Sequence, residues 1–383
     1  MDGVIPEIPR RIGIQQRVLP TYRVPFFEAL AQACPAGLSL FAGQPRPEEA
    51  IESASGLQAA HYYPARNRHL FGGALYLCWQ ENLLSWLETW QPQILVVEAN
   101  PRYLSTPAAV RWMHRHGGAV IGWGLGAPAL SGWLAPLRRS WRQRFLAQFD
   151  ALLAYSRRGA AEYAALGFDP QRIIVAPNAA MPRPALPPPV RPETFAAGRA
   201  TVLFVGRLQP RKRVDLLLRA CADLPPTLQP NLLIVGDGPA RENLQALARR
   251  IYPQACFLGA LHGDALRPYF EQADLFVLPG TGGLAVQQAM AYALPVIVAE
   301  GDGTQSDLVH PSNGWSIPPG DFVALRLTLA EALSDPPRLR RMGQESFRIV
   351  CEEVNVERMV AAFARAACLA WSQRHPDEVH PCV

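Results

Sequence analysis

Residues 202–212 read Val202-Leu203-Phe204-Val205-Gly206-Arg207-Leu208-Gln209-Pro210-Arg211-Lys212. The apolar start is typical of a buried strand, and the Gly and Pro that follow predict a loop. Lys212 is the only lysine among the 37 Lys and Arg residues of the chain. The planar donors of Arg207 and the compact ammonium of Lys212 together suit a diphosphate. The alternative is a lysine that merely lies on a solvated surface.

Outward from this stretch, short apolar runs alternate with helical segments, a pattern that indicates a parallel α/β architecture. The predicted strands are Ile12–Leu19, Leu38–Phe41, Ile94–Glu98, Ala119–Trp123, Ala151–Ala154, Ile173–Ala176, Val202–Val205, Leu232–Val235, Cys256–Leu258, Leu275–Leu278 and Val296–Ala299. The predicted helices are Val24–Ala33, Leu75–Leu87, Ala108–His116, Val214–Ala222, Ala240–Arg250, Leu284–Tyr292, Phe322–Leu333 and Val356–Trp371.

A proline-rich segment at 182–189 divides the chain into two halves. It is too rich in proline for a helix or an inner strand, and it therefore predicts a semi-extended linker. We expect two Rossmann-like, doubly wound domains that face a cleft. The predicted boundaries are 1–181 for the acceptor domain, 182–198 for the linker, 199–350 for the nucleotide-sugar domain, 351–373 for a helix that packs back on the first domain, and 374–383 for a flexible tail.

The composition is that of a globular protein, with 49% hydrophobic and 18% charged residues. No apolar run reaches the ~18 residues of a membrane-spanning helix, and the first residues lack an apolar segment of signal-peptide length. We therefore expect a cytoplasmic protein. The sequence contains no Cys-x-x-Cys pair, no zinc-type His cluster and no Asp-x-Asp motif, so no metal is expected.

Positive charge is concentrated in the first half, where seven arginines and no acidic residue lie between Glu98 and Asp150. Within this region, 133–145 mixes bulky apolar residues with four arginines. One interpretation is contact with an anionic membrane, which would place the protein peripherally on the inner face of the plasma membrane. The other is an ordinary helix whose Trp and Leu side chains pack in the core. No recognisable nucleic-acid-binding module accompanies the charge.

Ligands of open α/β sheets bind at the carboxyl ends of strands, so the loops there are the candidate sites. Two further loops of this kind are glycine-rich, one with Gly236 and Gly238 and the other at 279–284. Glycine lets the backbone approach a ligand closely, although a tight turn alone also explains such a pair.

The order and spacing of these motifs resemble the donor domain of the family 4 retaining glycosyltransferases, which have the GT-B fold. The resemblance covers about residues 200–350. It is carried by Phe204–Leu208, Lys212, Val235–Pro239, Phe257–Gly259, Ala273–Pro279, Gly283-Leu284, Ala289–Tyr292, Leu294–Ile297 and Asn313–Trp315. The first half is similar more loosely, through Arg17, Pro20, Tyr22-Arg23, Pro25–Phe27, Tyr155-Ser156 and Ala176–Asn178.

The resemblance implies that Arg207 and Lys212 neutralise the diphosphate leaving group, without a metal or a separate cofactor. The implied donor-binding residues are Gly206, Gly236, Gly238, His262, Gly280, Thr281, Gly282, Gly283, Leu284 and Gln288. The family carries two glutamates eight residues apart, and their places here hold Gly280 and Gln288. Gln288 keeps an amide that can bond a ribose, whereas Gly280 offers only backbone.

The expected acceptor residues follow strands of the first half: Arg17, Tyr22, Arg23, Asn100, Arg102, Gly124 and Gly126. The implied function is retaining, metal-independent transfer of a hexose from a nucleotide diphosphate-sugar to a glycan or lipid-linked acceptor, as in polysaccharide biosynthesis. A non-catalytic nucleotide-sugar-binding protein and a nucleotide-sugar epimerase remain alternatives. An oxidoreductase is disfavoured, because the full Gly-x-Gly-x-x-Gly fingerprint is missing.

Overall fold

The computed structural model describes residues 6–49, 51–282, 284–301 and 304–378. These residues form two compact units. Unit 1 comprises Met1–Pro182 and Val356–Val383, and unit 2 comprises Arg183–Asn355. Each unit is built on a parallel sheet, so the prediction of two Rossmann-like α/β domains is confirmed.

Unit 1 contains a seven-stranded parallel sheet and a separate two-stranded hairpin. Its strands are β1 (Ile12–Val18), β2 (Leu38–Gly43), β3 (His61–Pro64), β4 (Arg66–Leu70), β5 (Leu77–Glu81), β6 (Ile94–Glu98), β7 (Ala119–Gly124), β8 (Ala151–Ala154) and β9 (Ile173–Val175). The large sheet has the order β3-β2-β1-β6-β7-β8-β9, while β4 and β5 pair antiparallel. The strand order reverses between β1 and β6, which is where ligands of such sheets bind.

The helices of unit 1 are α1 (Val24–Gln32), α2 (Leu83–Trp90), α3 (Thr106–Arg115), α4 (Ala135–Leu146) and α5 (Arg157–Ala165). They pack around the sheet, whose inner strands β7 and β8 are apolar and almost entirely buried, as strands covered on both faces are. Ser156 caps the start of α5, where its hydroxyl accepts a 3.0 Å hydrogen bond from the amide of Gly159.

The predicted helix Leu75–Leu87 is wrong. The segment forms β5 and then α2, separated by Asn82 in a left-handed conformation (φ 61°). In β5 the buried side chains alternate with more exposed ones, as the period of a strand requires. The apolar spacing of the segment also fits a helix, and only the pairing of β5 with β4 in the hairpin decides between the two.

Unit 2 contains a six-stranded parallel sheet of order β12-β11-β10-β13-β14-β15. Its strands are β10 (Thr201–Val205), β11 (Asn231–Val235), β12 (Cys256–Gly259), β13 (Leu275–Leu278), β14 (Val296–Ala299) and β15 (Gly314–Ile317). Its helices are α6 (Val214–Ala222), α7 (Arg241–Ile251), α8 (Arg267–Gln272), α9 (Ala285–Ala291), α10 (Phe322–Leu333) and α11 (Pro336–Glu352). Here the order reverses between β10 and β13, so the loops after these two strands flank the expected ligand site.

The last helix of the described chain, α12 (Val356–Arg374), belongs to unit 1. It packs against α1 and the ends of β7 and β8, and Phe363 lies 4.9 Å from the ring of Phe26. The segment after the proline-rich stretch belongs to unit 2. Arg191 donates hydrogen bonds of 2.7–2.8 Å to the carbonyls of Phe270, Ala273 and Tyr292.

Candidate active site

Lys212 lies in a short 3-10 turn after β10, and its side chain is buried. Its Nζ donates hydrogen bonds of 2.9 Å to the carbonyls of both Thr281 and Gly282. The amide of Thr281 in turn donates to the carbonyl of Arg211 at 3.1 Å. The lysine therefore connects the loop after β10 to the loop after β13, and these two loops flank the reversal point of the sheet.

Gly280 lies directly against the Lys212 turn. A Cβ at this position would stand 2.2 Å from the carbonyl oxygen of Arg211 and 2.4 Å from the carbonyl carbon of Lys212. No side chain fits there unless the turn moves. The β13–α9 loop therefore holds position 280 against the backbone of a neighbouring loop, which leaves no room for the carboxylate that the family resemblance places here.

Gly236 and Gly238 have φ values of +140° and +151°, which L side chains rarely adopt. A Cβ on Gly236 would lie 1.9 Å from the carbonyl oxygen of Gly206, and one on Gly238 would lie 2.5 Å from that of Leu208. The amide of Leu208 also donates to the carbonyl of Asp237 at 2.8 Å. These glycines therefore let the loops after β10 and β11 interlock, which is a structural reason for their presence in the motif.

Arg207 is exposed on the loop between β10 and the Lys212 turn. A second arginine, Arg211, was not predicted as a site residue from the sequence. Its charge acts on Lys212, and one of its guanidinium nitrogens is 3.8 Å from the Cβ position of Gly282. The sequence did contain a signal for Arg211 as a site residue, since it directly precedes Lys212.

The other predicted donor residues lie around these loops. His262 is exposed and precedes a 3-10 turn at Gly263–Leu266. Gln288 is half-buried in the first turns of α9, one turn after the half-buried Leu284. Gly283 lies outside the described residues.

Burial, followed by the charge of Arg211, lowers the pKa of Lys212 to about 8. An ammonium group has three N–H donors, and two of those on Lys212 bond carbonyls of the 279–284 loop. The third N–H can donate to a phosphate oxygen. An anion bound next to Lys212 would favour the charged, protonated form of its side chain.

We expect the affinity for a nucleoside diphosphate to fall as the pH rises through about 8, because Lys212 loses its proton there. Stability should change the opposite way. Between about pH 8 and the ordinary lysine pKa of 10.5, the unfolded chain keeps a proton that the folded chain has lost, so this group's contribution to the free energy of unfolding rises with pH. Calorimetric titration from pH 7.5 to 9.5 measures the first effect. An equal affinity for wild type and Lys212→Met at every pH would contradict it.

In unit 1, the residues at the reversal point between β1 and β6 form a polar cluster centred on Glu98. The amide of Arg17 donates to the Glu98 carboxylate at 2.6 Å, and the Arg17 guanidinium bonds Glu49 at 2.7 Å. Burial raises the pKa of Glu98, against hydrogen bonds from Arg17 and from the hydroxyl of Tyr103. A buried carboxyl group with a raised pKa can exchange a proton with a hydroxyl bound beside it.

Sequence reasoning identified Arg17 but not the partners that make this cluster. Glu98 and Glu49 lie 81 and 32 residues from Arg17 in the chain, and folding alone brings them together. Asn100 and Arg102 follow Glu98, and the side-chain oxygen of Asn100 accepts a 3.1 Å bond from the amide of Arg102. These residues do lie near one strand end, as predicted.

Arg23, one of the expected acceptor residues, lies inside unit 1. It is only 6% exposed, and its guanidinium bonds the side chain of Asn178. The rings of Tyr22, Trp123 and Tyr155 lie 5.3–5.6 Å from it. These contacts give Arg23 a structural role inside unit 1, while the ring of Tyr22 is 45% exposed.

Gly124 and Gly126 pack against α5. A Cβ on Gly124 would lie 2.5 Å from the hydroxyl of Tyr163, and one on Gly126 would lie 2.7 Å from the Cα of Gly159. The amide of Gly126 donates to the Tyr163 hydroxyl at 3.2 Å. Close approach of the helix therefore accounts for both glycines.

The segment 133–145 includes all of α4 except its last residue, and most of its large apolar side chains are exposed. Trp133, Leu137 and Trp141 are 88%, 69% and 53% exposed. Within α4 itself, only Phe145 and Leu146 are buried. The interpretation of an ordinary helix with its Trp and Leu face in the core is therefore wrong.

Across the described ranges, no group of three or more His, Cys, Asp or Glu residues could hold a metal ion. Among the same residues, no helix has the length and apolar character that a membrane span requires.

Two family models match the chain. The model of glycosyl transferases group 1 matches residues 190–348, and that of a glycosyl transferase 4-like domain matches residues 21–179. Together they span most of both units. Residues 190–348 thus belong to the group 1 glycosyltransferases, and residues 21–179 to the glycosyl transferase 4-like domains.

Curated relatives match parts of the chain. A GDP-mannose-dependent alpha-mannosyltransferase of Mycolicibacterium smegmatis is 44% identical over 119 residues, which are 30% of this chain and 29% of the relative. The enzyme of the same name from Mycobacterium tuberculosis is 39% identical over 167 residues, or 41% of this chain and 42% of the relative. The matched segments therefore span less than half the length of these relatives.

Solved structures share the fold at low identity. Anabaena HepE in complex with UDP has a TM-score of 0.68 at 15% identity, with 93% of this chain and 98% of that one covered. Sucrose-phosphate synthase from Thermosynechococcus elongatus has a TM-score of 0.65 at 19% identity, with 92% and 96% covered. The fold is thus that of the GT-B glycosyltransferases.

Proposed function

We propose that this protein transfers a hexose from a nucleotide diphosphate-sugar to a glycan or lipid-linked acceptor. The observation that carries the proposal is the position of Lys212. Its buried ammonium joins the loops after β10 and β13, at the reversal point where open α/β sheets bind ligands. Membership of the group 1 family supports the same reaction class.

The proposed chemistry is electrostatic. As the bond between sugar and diphosphate breaks, negative charge develops on the leaving phosphate. Preorganised cations stabilise this charge without any reorganisation at the moment of reaction. Lys212, Arg207 and Arg211 supply positive charge on one loop, so the chain's own side chains can take this role. Metal independence and retention of configuration are part of the proposal and follow from the resemblance to the retaining family.

We propose GDP-mannose as the donor, because two relatives with that specificity in their names are 44% and 39% identical to parts of this chain. A thermal-shift panel of GDP-mannose, UDP-glucose, ADP-glucose and dTDP-glucose tests this choice. A ligand that binds only the folded protein raises its melting temperature; at 100 times Kd the gain is about 2.7 kcal/mol, or several degrees. The largest shift should come from GDP-mannose. A larger shift with UDP-glucose would identify a UDP-sugar, not GDP-mannose, as the donor. No shift with any of the four nucleotide sugars would overturn the proposed function.

A non-catalytic nucleotide-sugar-binding protein is the second candidate. It is favoured by one observation, the absence of both family carboxylates at Gly280 and Gln288. Both candidates predict donor binding, and they differ in turnover. Release of nucleoside diphosphate in the presence of acceptor supports the enzyme, whereas a melting-temperature shift without any release supports the binding protein.

We further propose that residues 133–145 contact an anionic membrane surface. Exposed Trp133, Leu137 and Trp141 suit the boundary between headgroups and acyl chains, and four arginines in the same segment suit anionic headgroups. Such a contact would hold the protein where lipid-linked acceptors are found.

A further inference from the structure

Unit 1 contains a cavity of about 430 Å³ that the proposed donor site does not use. It lies between the loop 127–130, one face of α4 and the end of α5. Its wall is largely apolar, with Pro128, Leu130, Pro136 and Ala165 among the lining residues. Cavities of this size bind small molecules when a few polar groups stand in an apolar wall.

Two guanidinium groups supply those polar groups. Arg139 donates a hydrogen bond to the carbonyl of Ala165 at 3.1 Å, and Arg142 donates one to the carbonyl of Pro128 at 2.8 Å. Both arginines line the cavity. Each of these bonds uses one of the five N–H donors of a guanidinium, and a phosphate can accept two from the same group.

The surroundings favour an anion. Burial, followed by the charges of Arg138 and Arg102, lowers the pKa of Arg142, so several positive groups converge at this wall. Glu162 also lines the cavity, but it is paired with Arg158 at 3.3 Å. The field at the cavity is therefore suited to a negatively charged ligand.

Trp133, just before α4, and Leu137 and Trp141 within it are exposed. The cavity is lined by a different face of the same helix, which presents Pro136, Arg139 and Arg142. A ligand in this cavity meets a largely apolar wall and two arginines. A soluble sugar phosphate would use the arginines but not the apolar wall, and a neutral lipid would use only the wall. A lipid with a phosphate at one end uses both.

We propose that this cavity binds a single-chain lipid phosphate or diphosphate. The phosphate oxygens bond Arg139 and Arg142, and the first part of the chain lies along Pro128, Leu130 and Ala165. This inference rests on the lipid-linked acceptor class of the proposed function but not on the transfer reaction. With this cavity, α4 would bind an individual lipid molecule in addition to contacting the membrane surface.

Calorimetric titration of the full chain, without nucleotide, tests the site with three probes: farnesyl diphosphate, inorganic pyrophosphate and farnesol. Each buried CH₂ is worth about 0.8 kcal/mol, or roughly fourfold in affinity. A few carbons of chain in the cavity should therefore make farnesyl diphosphate at least ~10-fold tighter than pyrophosphate. Loss of the charged contacts should make farnesol weaker than farnesyl diphosphate by a similar factor.

Two variants probe the two halves of the site. Arg142→Gln removes a phosphate contact, and Ala129→Phe fills the cavity from an exposed loop position, where a larger side chain disturbs folding little. Each should weaken farnesyl diphosphate binding by ~10-fold or more. Arg111→Gln is the matched control, because Arg111 is exposed on α3 and does not line the cavity.

Three results would overturn the proposal: equal binding of pyrophosphate and farnesyl diphosphate, unchanged binding in Ala129→Phe, or flotation on phosphatidylglycerol vesicles without any farnesyl diphosphate binding. The last would mean a surface contact only. Should Arg142→Gln fail to fold, Ala129→Phe still decides. Because no donor is present, failure here is distinguishable from failure of the donor panel.

Discussion

Lys212→Ala is expected to lower turnover by about 10²-fold, the loss that follows removal of one preorganised transition-state donor. The wild-type ammonium is buried and bonds the carbonyls of Thr281 and Gly282. Its removal takes positive charge from the leaving group and also releases the loop that follows β13. Turnover is measured as release of nucleoside diphosphate from the donor chosen by the thermal-shift panel.

Two control variants separate charge from position. Lys212→Arg keeps the charge but places a longer, planar group in a buried space, so it should recover only part of the activity. Arg249→Ala removes an exposed arginine near the end of α7 and should leave turnover unchanged. Near-wild-type turnover of the Lys212→Ala variant would show that Lys212 has no role in the mechanism.

The parts of the fold that could be predicted from the sequence are those in which the local residue pattern is consistent with only one type of secondary structure. Ile94–Glu98, Leu275–Leu278 and Val296–Ala299 match β6, β13 and β14 residue for residue. They are short apolar runs bounded by helical segments, and burial on both faces requires that composition. The apolar residues of Leu75–Leu87 fit both a helix and a strand period, and the pairing with β4 that decides between them is seen only in the structure.

For the candidate site, too, local features could be predicted from the sequence and contacts between distant residues could not. The sequence places Lys212 and the glycine-rich loops after strands, because strand ends are visible in the chain. It does not show that Gly236 meets the backbone of Gly206, or that Arg17 meets Glu98, since these contacts join residues far apart in the chain. Likewise, the amphipathic pattern of α4 is the same whether its apolar face is buried or exposed, and only the structure shows that Trp141 has no core to enter.

Gly280→Ala is expected to have an effect as large as the loss of the lysine, although it adds only one methyl group. The new Cβ would lie 2.2 Å from the carbonyl oxygen of Arg211, so the two loops must separate by about 1 Å to reach ordinary contact distance. Overpacking of this kind costs about 3 kcal/mol, which should lower the melting temperature by roughly 6–12 °C. Since Lys212 belongs to the displaced turn, turnover should also fall by about 10²-fold.

The family's carboxylate should not rescue this position: Gly280→Glu meets the same backbone with a larger side chain and should be less active than Gly280→Ala. Gly56→Ala is the matched control, because a Cβ at Gly56 has no atom within 4 Å and should change neither the melting temperature nor turnover. Circular dichroism below the melting temperature establishes that each variant is folded before turnover is compared. If Gly280→Glu gains activity over wild type, position 280 is the place of a lost catalytic carboxylate, and the steric account of this glycine is wrong.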